Sequence, residues 1–182
     1  EYAFSGMLAK STLSENGTVV KTTQYLRLGL VELQERDASD SVTATNWWHP
    51  DAPGGVGGLL RRNENSTDYY ANYDHNGNIV QVTNTSGQVI SDLFYASFGK
   101  TLQGDNPIPF GFSTKRNDFS SGLIYYGQRF YLPHLGRWLN RDPIGEQDDL
   151  NLYAMVGGDP VNKIDPNGEL ALGGALFGGG LD

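Results

Sequence analysis

Two carboxylates in the last quarter of the chain sit in the same local setting. Asp142 opens Asp142-Pro143-Ile144-Gly145, and Asp165 opens Asp165-Pro166-Asn167-Gly168. Asp-Pro-x-Gly is strong turn chemistry, because proline fixes its own φ and glycine accepts backbone angles that other residues resist. Each aspartate is therefore expected on a stiff loop. Two carboxylates a few ångströms apart cannot both ionise comfortably, so one pKa rises while the other stays low. The ionised member can polarise a water or a peptide, and the protonated member can donate to a leaving amide, which together make hydrolysis. The same residues also have a purely structural reading, since an Asp ahead of Pro often caps its own turn. Residue types and spacing leave both readings open.

Other chemistries find less support. The chain has no cysteine, which removes a disulfide framework and a thiol nucleophile. His49, His75 and His134 lie far apart, without metal-ligand spacing, and no Ser-His signature accompanies them, so no metal and no cofactor are expected. The run Gly54-Gly55-Val56-Gly57-Gly58 lacks the Gly-Lys-Ser/Thr that completes a phosphate loop and reads as a tight β-connection. A net charge of −8 and a pI near 4.7 argue against a nucleic-acid partner, whose phosphates must be neutralised by Lys and Arg. The pair Arg61-Arg62 reads as solvated surface charge, and Arg137, Arg141 and Asp159 as structural. Trp47-Trp48 could form a sugar-binding platform, although packing in a β-core explains them more cheaply. The one apolar stretch, from Ala171 to Leu181, is far shorter than the roughly 20 residues of a membrane-spanning helix. Sequons at Asn16, Asn65 and Asn84 are of the kind that arise by chance in Asn- and Thr-rich sequence.

The elements that must position the aspartates read as β-structure. Asn16-Gly17, Asn76-Gly77 and Ser86-Gly87 each precede a β-branched run, and Asn-Gly before such a run signals a hairpin with a type I′ turn. Tyr73-Asp74-His75-Asn76-Gly77 has the frame Tyr-x-x-x-Gly, which returns as Tyr95-Ala96-Ser97-Phe98-Gly99. Repetition at such a period points to an array of units stabilised by stacking on one another. One short helix is expected over Leu150 to Val156, following a cap at Asp148-Asp149. The chain opens on Glu1-Tyr2-Ala3-Phe4 without an initiator Met or a signal peptide, as a piece of a longer polypeptide would.

The run Gly122-Leu123-Ile124-Tyr125-Tyr126-Gly127-Gln128-Arg129-Phe130-Tyr131, the turn Leu135-Gly136-Arg137-Trp138, the segment Arg141 to Gly145, Asn151-Leu152-Tyr153-Ala154 and the turn Asp165 to Gly168 occur in this order. Together they resemble the Rhs-repeat-associated core domain of bacterial Rhs proteins and of the C component of Tc toxins, over roughly residues 55 to 170. The Tyr73 and Tyr95 frames resemble the YD repeat of the same family. The resemblance implies an all-β fold in which YD-repeat hairpins coil into a sheet-built shell. It divides the chain into a YD-repeat segment (1–109), a core or plug region (110–170), and the start of a variable C-terminal toxin or a Gly-rich linker (171–182). It implies a self-cleaving aspartyl protease acting in cis, with Asp142, Asp165 and Arg129 in the site. The cut is expected at Leu170–Ala171, or alternatively at Glu169–Leu170, because Glu169 stands where the family usually has leucine. The partners implied are the chain's own C-terminal toxin, the rest of the shell, and a secretion-apparatus or Tc-component partner. The implied setting is bacterial, with synthesis in the cytoplasm followed by secretion or delivery to target cells. A shell or plug without proteolysis, and a carbohydrate-binding β-module, are the alternatives.

Overall fold

The computed structural model describes residues 1–3, 5–147 and 149–173. These residues fold as antiparallel β-structure, with no α-helix among them. Eight strands follow one another in a single sheet in the order of the chain: β1 (Lys10–Glu15), β2 (Thr18–Leu28), β3 (Val31–Arg36), β4 (Val42–Trp48), β5 (Leu59–Glu64), β6 (Thr67–Tyr73), β7 (Ile79–Thr83) and β8 (Val89–Asp92). Short strands β9 (Phe94–Tyr95) and β10 (Thr101–Gln103) form the next hairpin. A second sheet contains β11 (Arg116–Asp118), β12 (Leu123–Tyr125), β13 (Phe130–Leu132) and β14 (Arg137–Trp138), again in chain order. A last pair, β15 (Lys163–Ile164) and β16 (Leu172–Gly173), closes around the second Asp-Pro-x-Gly turn.

The turns explain this meander. Asn16 (φ 50°) and Gly17 (φ 79°) make the expected two-residue turn with both residues left-handed. The Asn76-Gly77 signal resolves differently, as a five-residue connection in which Gly77 is left-handed at φ 72° and Asn76 is not. Four connections share one hydrogen-bond frame: Asp37 to Ser41, Asp74 to Asn78, Asn84 to Gln88, and Ala96 to Lys100. In each, the first N–H donates to the fifth carbonyl, and the fourth N–H donates back to the first carbonyl. The fourth residue is Asp40, Gly77, Gly87 or Gly99, with φ between 63° and 81°. In the first three the opening Asp or Asn also accepts the N–H groups two and four residues on. Ala96 has no such acceptor, so the second Tyr-x-x-x-Gly frame keeps the backbone of the repeat without its side-chain cap. The tyrosines ahead of these turns do equivalent work. Tyr73 donates to the Leu59 carbonyl and Tyr95 to that of Ile79, tying each hairpin to strand backbone laid down earlier.

Two apolar clusters form the core. One gathers Leu59, Ile79, Val82, Leu93, Ile108 and Phe110. The other gathers Phe112, Ile124, Tyr126, Tyr131, Trp138, Met155 and Val156, and Tyr95 packs against both. A buried ion network joins the sheets: Arg116 of β11 reaches Glu32 and Glu35 of β3, while Arg62 of β5 pairs with Glu35 at 2.7 Å. Arg62 is therefore an interior residue, only 1% exposed, and the reading of Arg61-Arg62 as solvated charge fails for it. Period-2 alternation places Arg61 on the opposite face, paired with Asp68 and lying over the Trp47 ring.

The helix expected over Leu150 to Val156 does not form. Asp149 accepts the Asn151 N–H and Asn151 accepts that of Tyr153, two successive Asx turns that capture donors a helix would need. A single 3₁₀ turn, Val156–Gly158, comes next. Asp148, half of the expected cap, and residues 174–182 of the expected toxin start or linker lie outside the described residues.

Candidate functional site

Arg129 occupies the tight turn between β12 and β13. The Tyr126 N–H closes this turn on the Arg129 carbonyl, and Gly127 supplies φ 106°. Trp138 on β14 offers its indole face to the guanidinium, with Cζ 4.1 Å from the ring centroid. The side chain is thus oriented before any carboxylate is considered.

Asp142 lies just past β14. Its N–H is held by the Leu152 carbonyl at 3.0 Å, and its Oδ1 accepts the Ile144 N–H at 3.0 Å. Asp165 lies just past β15, and its Oδ1 accepts three backbone N–H groups, from Asn167 (3.1 Å), Gly168 (2.7 Å) and Glu169 (3.2 Å). Each turn therefore uses one carboxylate oxygen for itself and leaves Oδ2 to point elsewhere. Both turn elsewhere to the same place. Arg129 Nη1 lies 2.7 Å from Asp142 Oδ2, and Nη2 lies 3.4 Å from Asp165 Oδ2. Arg129 Nε donates to the Gly168 carbonyl. All three side chains are buried, with residue exposures of 2% for Arg129, 8% for Asp142 and 1% for Asp165.

One buried cation facing two buried carboxyls favours a single negative charge, with one carboxyl keeping its proton. Burial pushes the Asp165 carboxyl above its ordinary pKa, against the pull of the Gly168 and Asn167 N–H groups and of Arg129. Asp142 makes the shorter ion pair with Arg129. The upward shift favours the proton on Asp165.

The chain beyond Asp165 doubles back, pairing Ile164 with Leu172 and Lys163 with Gly173. Both candidate bonds lie on this return. The Glu169 carboxylate is engaged by Asn167 Nδ2 at 2.6 Å, Leu170 is exposed, and Ala171 packs against the aromatic cluster. The carbonyl held by Arg129 belongs to Gly168, upstream of both bonds.

Lys115 is the residue that the sequence did not single out. It is buried, and its Nζ donates to the Gly54 carbonyl at 2.7 Å and to the Pro166 carbonyl at 2.6 Å. Burial pushes its pKa down to about 7, and ionisation of Asp165 opposes this. No local pattern flags a lone lysine in Ser113-Thr114-Lys115-Arg116; only its surroundings do. Gly54, from the glycine-rich connection between β4 and β5, lies so close to Pro166 that an added Cβ would be 2.2 Å from that carbonyl oxygen. Trp47 and Trp48 do not make a common platform. Trp48 turns inward, with Nε1 bonded to the Glu32 carbonyl and its ring edge-on to Phe110, while Trp47 stays exposed with Arg61 over one ring face. No cluster of three or more potential metal ligands occurs among the described residues, and no helix there is long and apolar enough to cross a membrane.

The teneurin YD-shell profile matches residues 54–161, a span containing Arg129 and Asp142 and ending just before Asp165. The toxin subunit YenC1 of Yersinia entomophaga is 40% identical over 90 residues, covering 46% of this chain and 9% of the toxin subunit. Salivary gland surface protein 1 of Aedes aegypti is 32% identical over 178 residues, covering 90% of this chain and 5% of that protein. Among solved structures, a Photorhabdus luminescens Tc holotoxin pore superimposes with a TM-score of 0.71 at 26% identity, covering 94% of this chain and 9% of that one. The complex TcdB2-TccC3-Cdc42 gives 0.72 at 26%, covering 92% and 9%. The chain spans less than a tenth of the length of each of these relatives.

Proposed function

This chain belongs to the YD-shell family of Rhs and Tc-toxin-like proteins, and from that premise we propose that it ends a shell whose last turns cut their own polypeptide and free the segment beyond the cut. The observation carrying this reading is the single buried guanidinium that engages Asp142, Asp165 and the Gly168 carbonyl together. Asp142 activates a water as the general base; Asp165, protonated, donates to the leaving amide; Arg129 holds the two carboxyls in place. The bond cut is Leu170–Ala171, with Glu169–Leu170 as the alternative, so the β15–β16 return holds the substrate in cis.

The rate demanded is small. One turnover per minute corresponds to a barrier of about 20 kcal/mol. Holding the bond in place contributes roughly 7–11 kcal/mol by positioning alone. A dyad of modest strength suffices for an event needed once per molecule. The partners in this reading are a C-terminal cargo, the remainder of the shell, and a delivery component of the Tc or secretion type, in a bacterial producer.

The full-length protein, analysed by intact mass at neutral pH, should yield a fragment beginning at Ala171. Asp142→Asn and Asp165→Asn should remain folded and uncut. An uncut wild-type chain would leave the second reading, in which the Asp165 turn only closes the hairpin that pairs Ile164 with Leu172.

A further inference from the structure

Lys115 lies where three segments distant in sequence meet, and each is held there by a separate contact. The segment Phe112 to Thr114 is pinned to the Asp74–Asn78 hairpin: the Ser113 N–H donates to Asn78 Oδ1 at 2.7 Å, and Thr114 Oγ1 donates to the Gly77 carbonyl at 2.7 Å. Ser113 and Thr114 hold left-handed backbone (φ 51° and 53°), a conformation that these contacts must sustain. Thr114 Oγ1 also accepts the Gly57 N–H at 2.8 Å, which docks the β4–β5 connection. Asn76 of the same hairpin donates Nδ2 to the Pro160 carbonyl, at the entry to the Asp165 turn. The outcome is an ammonium wedged between the carbonyls of Gly54 and Pro166, the latter one residue past Asp165.

A buried lysine is costly, and methionine would fill similar volume at less expense. Two backbone acceptors satisfy two of its N–H groups whether or not it carries the third proton. Its charge acts on Asp165, which opposes the downward push of burial on the Lys115 pKa. Other groups share this environment. Arg27 of β2 acts against the Lys115 cation, and the Tyr126 ring lies 5.6 Å from Nζ. Asp165 itself faces Arg129, with Asp142 beyond it, and has Glu169 in its own turn. A cavity of about 20 Å³ beside Lys115, lined also by Glu32, Arg116 and Tyr126, is large enough for one water.

We infer that Lys115 is a positioning residue for Asp165: it clamps the Asp-Pro-Asn-Gly turn to the shell through the Pro166 and Gly54 carbonyls, which holds its ammonium against the residue next to Asp165, where its charge bears on that carboxyl. The self-cleavage site is then complete only when the Asp74–Asn78 hairpin and the β4–β5 connection are in place. Shell assembly and cutting are coupled through one side chain. This inference rests on the autoproteolytic reading above.

The sign of the pH effect comes from the charge. A cation beside Asp165 favours its ionised form and lowers its pKa; removing the cation raises that pKa. Asp165 must be protonated to donate, so its ionisation sets the alkaline limb of the cleavage rate. In the full-length protein, Lys115→Met and Lys115→Gln should lower the plateau rate by about 10²-fold through misplacement of the turn. Both should also move the alkaline limb to higher pH. Thermal melting identifies any variant that fails to fold, and Lys115→Gln, which keeps an N–H donor, carries the test if Lys115→Met does not fold. A folded variant that cuts with the wild-type alkaline limb overturns the inference, whatever its rate. If Asp165→Asn cuts at the wild-type rate, the dyad reading fails instead, so the two failures are distinguishable.

Discussion

Asp74 and Asp165 are the same device in two regions of the molecule. Each opens a turn, and each gives Oδ1 to backbone N–H groups a few residues on. They differ in what meets the second oxygen. Asp74 Oδ2 accepts from the neutral amide of Asn78 at 2.8 Å, and Asp74 itself is half-buried. Asp165 Oδ2 faces the guanidinium that also holds Asp142, and a buried lysine bonds to its turn. The Asp-x-x-Gly turn is thus a building part throughout. It becomes a candidate for chemistry only where tertiary packing adds cations and buries the carboxyl.

The largest effect expected from this difference is on cleavage. Asp165→Asn and Asp142→Asn should slow self-cutting by about 10²–10⁴-fold, the usual contribution of acid–base groups. Asp74→Asn should slow cutting far less, because an asparagine can make the same backbone cap, as Asn84 does in the next hairpin. Equal losses in all three, read by intact mass, would erase the contrast between the two regions.

Arg129→Met should rank next. It leaves Asp142 and Asp165 buried without their shared cation, and breaking such a pair costs about 3–5 kcal/mol. Denaturant unfolding should show this loss, with much of it recovered when Asp142→Asn is added. Arg129→Lys should not rescue cleavage, since one ammonium cannot reproduce the forked contact to two carboxyls.

Two glycines compare the regions at smaller scale. Gly54 (φ +55°) lies against Pro166 at the junction, whereas Gly87 (φ +78°) is surrounded by open space. Gly54→Ala should cost about 1–3 kcal/mol from crowding, beyond its backbone strain, and should slow cleavage. Gly87→Ala should cost about 1 kcal/mol from strain alone and leave cleavage unchanged.

The smallest difference is in pH dependence, where the regions carry opposite signs. Burial raises the Glu35 carboxyl pKa, but Arg116 and then Arg62 outweigh it, and the net shift is downward. Its contribution to stability is present above the ordinary carboxylate pKa of about 4 and lost as pH falls through the lower folded value. Asp165 is shifted upward, so its contribution is present below the ordinary value and lost as pH rises through the raised one. Urea midpoints measured against pH should therefore lose part of their acid-side slope in Glu35→Gln and part of their higher-pH slope in Asp165→Asn. The same change of slope in both variants would contradict the assignment of two electrostatic regimes.

Much of the β-architecture is legible because it is local. The turn at Asn16-Gly17 and the left-handed glycines at 77 and 87 are consequences of residue type, and they set a meander whose strands pair in chain order. The five-residue connection at Asp74 is harder to see, since the Asp cap and not the Asn-Gly pair fixes its geometry. The stretch from Leu150 misleads because a polar run at Asp149 looks like a capped helix start, while Asx turns compete for the same N–H groups. Arg62 misleads because one residue of alternation separates a solvated arginine from a buried one.

What the sequence by itself determined is the inventory: strands of period 2, the turns that join them, and two aspartates each held stiffly by proline and glycine. Those are consequences of φ/ψ preference and of hydrogen bonds spanning a few residues. Only the tertiary structure decided that Arg129 faces both aspartates, that Lys115 bonds to the turn of one of them, and that the two carboxyls are buried. Charge effects of this kind depend on burial and on distances between segments dozens of residues apart, and neither quantity is written in any local pattern.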